Sequence, residues 1–199
     1  MDCPCSGNSR PGHAFPELHG AAHADVRFAQ GNRMFGLTQL GVVHTAISLV
    51  AVAAGAIALI RDKEITLRNT LGKVYVITTI LTCLTGFGIF QHGGFGKPHV
   101  LGIITLVVIA AAMGAEKYGW FGRAARYVAT IGYSATFFFH WIPAITETST
   151  RLPPGAPLAA NADVPGLQMA AGILFVLFLV GAFFQAKRLR AASAGAPGR

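Results

Sequence analysis

Seven histidines and three cysteines are the residues of this chain with the widest chemical range. Four of the histidines fall in or beside apolar runs: His44 and His140 lie inside two of them, and His92 and His99 stand at the edges of two others. Imidazole in a hydrocarbon phase is costly unless it faces a partner or a cavity, so a histidine there is a functional candidate by default. His44 lies about seven residues into the first run, roughly 10 Å below its boundary at 1.5 Å per residue. His140 lies about five residues before the end of the fourth run, roughly 8 Å deep on the same scale. Imidazoles at matching depth on two helices are the ligand pair that a bis-imidazole haem b requires, each approaching the iron from one side. The same cluster suits copper, zinc or a quinone. His44 and His140 are therefore the candidate axial ligands, with His92 and His99 as further candidate ligands. Tyr133, Thr136, Pro143 and Glu147 share the helical face of His140 at spacings of three and four residues. Small residues beside His44 leave room for a flat macrocycle, and Phe137, Phe138, Phe139 and Trp141 supply apolar walls. The competing expectation is structural: an interior histidine hydrogen-bonded to a threonine, tyrosine or carbonyl fixes helix register, and His92 and His99 are interfacial residues beside glycine-rich loops.

The first residues add Cys3, Cys5, His13, His19 and His23. Thiolates and imidazoles suit copper or zinc, but the irregular spacing matches no zinc module, and a flexible tail with scattered ligands is expected. Cys83, in an apolar run, reads as a packing residue. Other chemistries are not signalled. Gly86-Phe87-Gly88 is expected in mid-helix and lacks the strand-to-helix setting of a phosphate loop. There is no Gly-x-Ser-x-Gly elbow, and Asp and Glu fall at helix ends or in loops, against a relay of acidic residues.

The elements that position these residues follow from composition. Hydrophobic residues make up 53% of the 199, charged residues 12%, and the mean hydropathy is +0.52. A soluble core of this size cannot hide so much apolar surface, whereas a bilayer can. The expected fold is an all-α integral membrane bundle of about five transmembrane helices: Leu37–Ile60, Lys73–Phe90, His99–Ala115 (the shortest), Tyr127–Ile145 and Leu167–Phe184. Residues 1–36 form a polar tail without a cleavable signal pattern, 37–186 the bundle, and 187–199 a basic tail. Arg61, Lys63, Arg68, Lys73, Lys117, Arg123, Arg126, Lys187, Arg188, Arg190 and Arg199 fall on one side, against Arg10, Arg27, Arg33, Lys97 and Arg151 on the other. Excess positive charge inside places the N-terminus outside and the C-terminus in the cytoplasm. The same clustering between apolar runs fits lipid headgroups and argues against nucleic acid, despite a net charge of +8.

Gly41, His44, Ser48, Ala51, Gly55 and Ala58 form one seam of small side chains in the first helix, which lets a neighbouring backbone approach closely. Thr78, Thr82, Thr85 and Gly86 offer hydroxyls on one side of the second. The loop Glu147–Gly166, rich in Pro, Gly and Ala, has the length to fold over the bundle.

Leu71-Gly72-Lys73-Val74-Tyr75-Val76 running into Thr85-Gly86-Phe87-Gly88, together with the stretch from Pro143 to Gly155, resembles an uncharacterised bacterial membrane family, domain of unknown function 2306. His44 also looks like that family's early-helix histidine. Arg68-Asn69-Thr70 stands where many members carry His-Arg, so a histidine role on that side is not carried over. The resemblance covers roughly residues 37–186. It implies a multi-pass protein of the bacterial inner membrane, brings no activity with it, and draws attention to Glu147 and Arg151 as a polar pair beside His140. The expected function is a membrane redox module binding haem b, another metal or a quinone through the histidine cluster. The alternatives are a non-enzymatic accessory subunit, associating with a membrane partner or with copies of itself, and a small-molecule transporter.

Overall fold

The structure, a computed structural model, describes residues 39–89 and 95–194. His92 and the Cys3, Cys5, His13, His19 and His23 set lie outside these residues. The chain divides into two units, Met1–Gln39 and Leu40–Arg199, and the architecture below is that of the second.

Five helices follow one another: α1 Gln39–Arg61, α2 Thr70–Gly86, α3 Lys97–Tyr118, α4 Ala125–Arg151 and α5 Pro165–Ala194, with a 3₁₀ turn at Gly122–Ala124 before α4. No strand occurs among the described residues. α1, α3, α4 and α5 are long and apolar enough to cross a membrane, and α2 is a shorter apolar helix of 17 residues. The fold is an all-α membrane bundle.

Several helix limits differ from those expected, because hydropathy marks where a span leaves lipid and not where its hydrogen bonding stops. α2 begins three residues before Lys73: the Asn69 side-chain oxygen accepts from Gly72 N–H at 2.8 Å and caps the helix. It ends at Gly86, so Gly86-Phe87-Gly88 is a helix terminus rather than mid-helix, and α2, not the third helix, is the shortest. α3 runs for 22 residues, with Pro98 in its first turn and Gly119 at φ +68° closing it in the left-handed conformation. α4 passes through Pro143 and continues to Arg151. Its last turns are held by Thr146 and Thr150 hydroxyls donating to the carbonyls four residues back, both at 2.8 Å. The Lys187-Arg188-Leu189-Arg190 cluster remains helical within α5 rather than starting a separate tail.

Along α1 the buried face is made of small residues and the exposed face of large ones. Ala51, Ala54, Gly55 and Ala58 of α1 are buried, while Val43, Leu49, Val50, Ile57 and Ile60 are exposed. This inversion is expected where lipid tails are as apolar as leucine and helices associate through close backbone approach. At Gly55 the approach is tight: a Cβ would stand 2.7 Å from the Phe137 ring and 2.9 Å from the Tyr75 ring. α4 is central. It meets α1 and α2 through Phe137 and Tyr75, α3 where Gly132 faces Ala112 and Val108, and α5 through Phe138 packed on Phe175 and Phe178. Only Leu189 of α5 is buried.

The helices alternate in direction. The α1–α2 loop, the α3–α4 turn and the C-terminal part of α5 share one end, which carries most of the Lys and Arg. There the α1–α2 loop is tied to α3, α4 and α5. Glu116 of α3 accepts from the Thr66 hydroxyl, and from Leu67 N–H at 3.0 and 3.1 Å to its two oxygens. Thr130 of α4 donates to Glu64 at 3.4 Å. Gln185 and Arg188 of α5 donate to the Lys63 and Asp62 carbonyls, both at 3.0 Å. The Arg61 guanidinium, hydrogen-bonded to the Asp62 carboxylate, holds that carboxyl below its ordinary range. Loop and helix meet backbone to backbone at Gly72, where a Cβ would fall 1.9 Å from the Thr66 carbonyl oxygen.

At the opposite end the first residues of the expected Glu147–Gly166 loop are helical, and the remainder folds back on α4. Ala159 N–H donates to the Ser149 carbonyl at 2.9 Å, Ala159 is buried, and Lys97 pairs with Asp163 at 2.8 Å.

Candidate functional site

The two interior histidines both meet α2, and both meet it through threonine. His44 Nδ1 lies 3.1 Å from Thr85 Oγ1, and His140 Nε2 lies 3.1 Å from Thr79 Oγ1. Both rings therefore line the same helix. They are staggered, however: six residues separate their threonine partners, about 9 Å along α2. The matching depth expected of them is thus replaced by an offset of roughly one and a half helical turns. His44 is half-buried and His140 is buried.

Proton placement at His44 follows from its neighbours. The Thr85 hydroxyl donates to the Leu81 carbonyl at 2.8 Å. Its single proton is therefore committed, and Thr85 Oγ1 receives the Nδ1–H of His44. The neutral tautomer carries its proton on Nδ1 and leaves Nε2 as an acceptor, with no hydrogen bond among the described residues. A hydrogen bond on one ring nitrogen fixes what the other can do.

Around His140 the array continues. The Tyr75 ring lies edge-on to the imidazole at 6.1 Å between centroids, and the Tyr75 hydroxyl lies 2.8 Å from Thr136 Oγ1. The Thr136 hydroxyl donates to the Tyr133 carbonyl at 2.8 Å, so Tyr75 is the donor of the pair. Tyr75 and Thr136 are fully buried. Tyr133 is also fully buried, and its hydroxyl closes no hydrogen bond among the described residues.

The remaining candidates lie apart from this array. His99 serves the start of α3: its Nδ1 accepts from Gly96 N–H at 3.2 Å, and its ring is stacked between Phe87 and Phe95 at 6.4 and 5.2 Å. Glu147 and Arg151 pair with each other at 2.6 Å along the exposed surface of α4, beyond the point where its buried face ends at His140. Sequence reasoning placed the cross-helix hydroxyls on Thr78, Thr82 and Thr85. Thr78 and Thr82 instead donate to carbonyls of their own helix, while Thr79, which it passed over, reaches His140. Glu116 was missed as well; its place near the end of an apolar helix was the available signal.

Among the described residues no group of three or more His, Cys, Asp or Glu side chains is arranged to hold a metal ion. For a bis-imidazole haem the fit is poor in this packing. His44 Nε2 makes no hydrogen bond among the described residues, but His140 Nε2 is engaged by Thr79, and Tyr75 and Phe137 occupy the space beside Gly55. Comparison of the chain with protein-family models, with curated proteins and with solved structures returns no match.

Proposed function

We propose that this protein is a membrane redox module of the quinone-binding kind, in which His44 Nε2 accepts the hydroxyl proton of a quinol headgroup in a hydrogen bond. One observation carries the reading: Thr85 has already spent its proton on its own helix, so His44 is held in the tautomer that offers an acceptor nitrogen from a half-buried ring. A quinol headgroup supplies the matching donor, and its apolar tail suits a site between helices of a lipid-embedded bundle. His140, buried behind Tyr75 and bonded to Thr79, holds the back of the array in register. The resemblance to the family of unknown function 2306 and the charge asymmetry support a bacterial inner-membrane setting, with the basic end in the cytoplasm and the N-terminus outside.

The test is to purify the full chain in mild detergent, extract its lipid and assay bound quinone by chromatography, with His44→Ala and His44→Gln alongside. Wild type is expected to retain quinone and both variants to lose it. Protein that neither retains nor binds added quinol, or binds it equally after His44→Ala, defeats the reading. An absorption spectrum with a Soret band lost on His44→Ala transfers the site to haem. A second reading, an accessory subunit, is favoured by α5, whose membrane-length face is almost wholly exposed. It predicts co-purification with other membrane helices and indifference to His44→Ala.

A further inference from the structure

The α3–α4 turn is built unlike the other connections. Within four residues the backbone is left-handed three times: at Gly119 (φ +68°), Phe121 (φ +72°) and Gly122 (φ +53°). A bulky aromatic residue in that region is an outlier, and such strain persists only where the surroundings impose it. The surroundings here are Gly114 and Trp120. The indole lies flat on Gly114, where a Cβ would fall 2.0 Å from the ring, and Trp120 N–H donates to the Gly114 carbonyl at 3.3 Å. With Trp120 pinned, the chain turns Phe121 outward, where it is 58% exposed beside Tyr118 at 73%.

Three cations flank these rings. Lys117, Arg123 and Arg126 are exposed, and none makes an ion pair or side-chain hydrogen bond among the described residues, in contrast to Arg61, Arg68, Lys97 and Arg151. Unpaired cations beside outward-turned aromatics at the end of two membrane helices match one class of partner. Phosphate oxygens satisfy the cations, and glycerol and upper acyl carbons cover the rings.

We propose that the α3–α4 turn is a binding site for an anionic phospholipid, with Lys117, Arg123 and Arg126 holding the headgroup phosphate and the exposed Tyr118 and Phe121 rings packing on the chain above it. The strained Phe121 is kept because its ring reaches the lipid only from the left-handed conformation.

The full chain, solubilised in mild detergent, is titrated with phosphatidylglycerol or with phosphatidylcholine of the same acyl chains, and bound lipid is counted by native mass spectrometry. Phosphatidylglycerol is expected to bind preferentially. Arg123→Gln and Arg126→Gln should each weaken it about fivefold and together about twenty-five-fold, from the roughly equal contribution of each cation near an anionic lipid surface. Far-UV circular dichroism checks that these exposed substitutions leave the fold intact. Phe121→Gly relieves the backbone strain, so it should weaken lipid binding without lowering the unfolding temperature, whereas a purely structural Phe121 gives the opposite pattern. Equal binding of the two lipids, or an unchanged preference in the double variant, overturns the proposal. Full displacement by soluble glycerol phosphate also overturns it, because the site would then recognise a free phosphate.

Discussion

Removing the Tyr75 hydroxyl tests whether the buried array is wired as its proton placement requires. Tyr75 is the donor to Thr136, and Thr136 has its own proton on the Tyr133 carbonyl. Tyr75→Phe therefore deletes one interhelical bond and leaves no donor stranded. Side-chain hydrogen bonds between helices in lipid average about 0.6 kcal/mol and reach about 1.7, so a loss of about 1 kcal/mol is expected. Thr136→Val acts differently. It removes the acceptor and leaves the Tyr75 hydroxyl in a fully buried position, with the Tyr133 carbonyl at 3.5 Å to fall back on. An unsatisfied buried donor costs about 1–3 kcal/mol, and the partial fallback puts the expected value near 2 by the same measure. Once Tyr75 is Phe, Thr136→Val strands nothing, so the double variant should be more stable than Thr136→Val alone. Unfolding in mixed micelles with increasing sodium dodecyl sulfate, followed by circular dichroism, reads all three variants. Strictly additive losses, or a Tyr75→Phe penalty above about 3 kcal/mol, which approaches the cost of deleting a whole aromatic side chain, would refute the assigned donor direction.

Other perturbations report on the packing and on the basic end. Gly55→Ala drives a methyl group into both the Phe137 and Tyr75 rings and should cost about 1–3 kcal/mol, the usual penalty of overpacking, in the same unfolding assay. Gly72→Ala meets backbone rather than a side chain at Thr66, so it should do more damage than Gly55→Ala despite lying at a helix end; equal losses would count against the backbone contact. Glu116→Ala leaves Thr66 and Leu67 N–H without their acceptor and should cost about 1–3 kcal/mol, with faster hydrogen exchange at Leu67 than at distant amides. Acid should loosen the same loop through Asp62. Its carboxyl is held below the ordinary range by Arg61, so its contribution is complete above the unfolded value near about 3.9 and is lost as pH falls through the lower folded value. Because the pair lies at the surface, with the Arg61 side chain exposed, it should be weak and screened by salt, and exchange rates at residues 62–69 in low and high salt would show this.

The membrane bundle was legible because its signal is long. Runs of apolar residues with charges between them locate five helices, and the small-residue spacing in α1 picks out the side on which Ala51, Gly55 and Ala58 are buried. Helix ends were less legible. Asn69 starts α2 through a single side-chain bond, and the back-bonded threonines of α4 carry it beyond its apolar stretch to Arg151. The histidine positions were readable, but not what they touch. Thr78, Thr79, Thr82 and Thr85 differ only by rotation about α2, and that rotation is set by Tyr75 and Phe137 packing on Gly55, information spread over three helices. The stagger between His44 and His140 escaped for the same reason: counting residues from a boundary fixes depth along each helix separately and says nothing about how the helices slide past one another.

The short second helix also bears on the membrane that this protein suits. Seventeen residues span about 26 Å, less than the roughly 30 Å of an average hydrocarbon core. Hydrophobic mismatch of this kind is met by a thinner bilayer, by tilt, or by burying the short element among longer ones. α2 has α1, α3 and α4 around it, which leaves the deficit to be absorbed at its two ends. Thicker, sterol-like or long-chain bilayers would stretch those ends, and resistance to unfolding compared across lipids of graded chain length should fall as thickness rises.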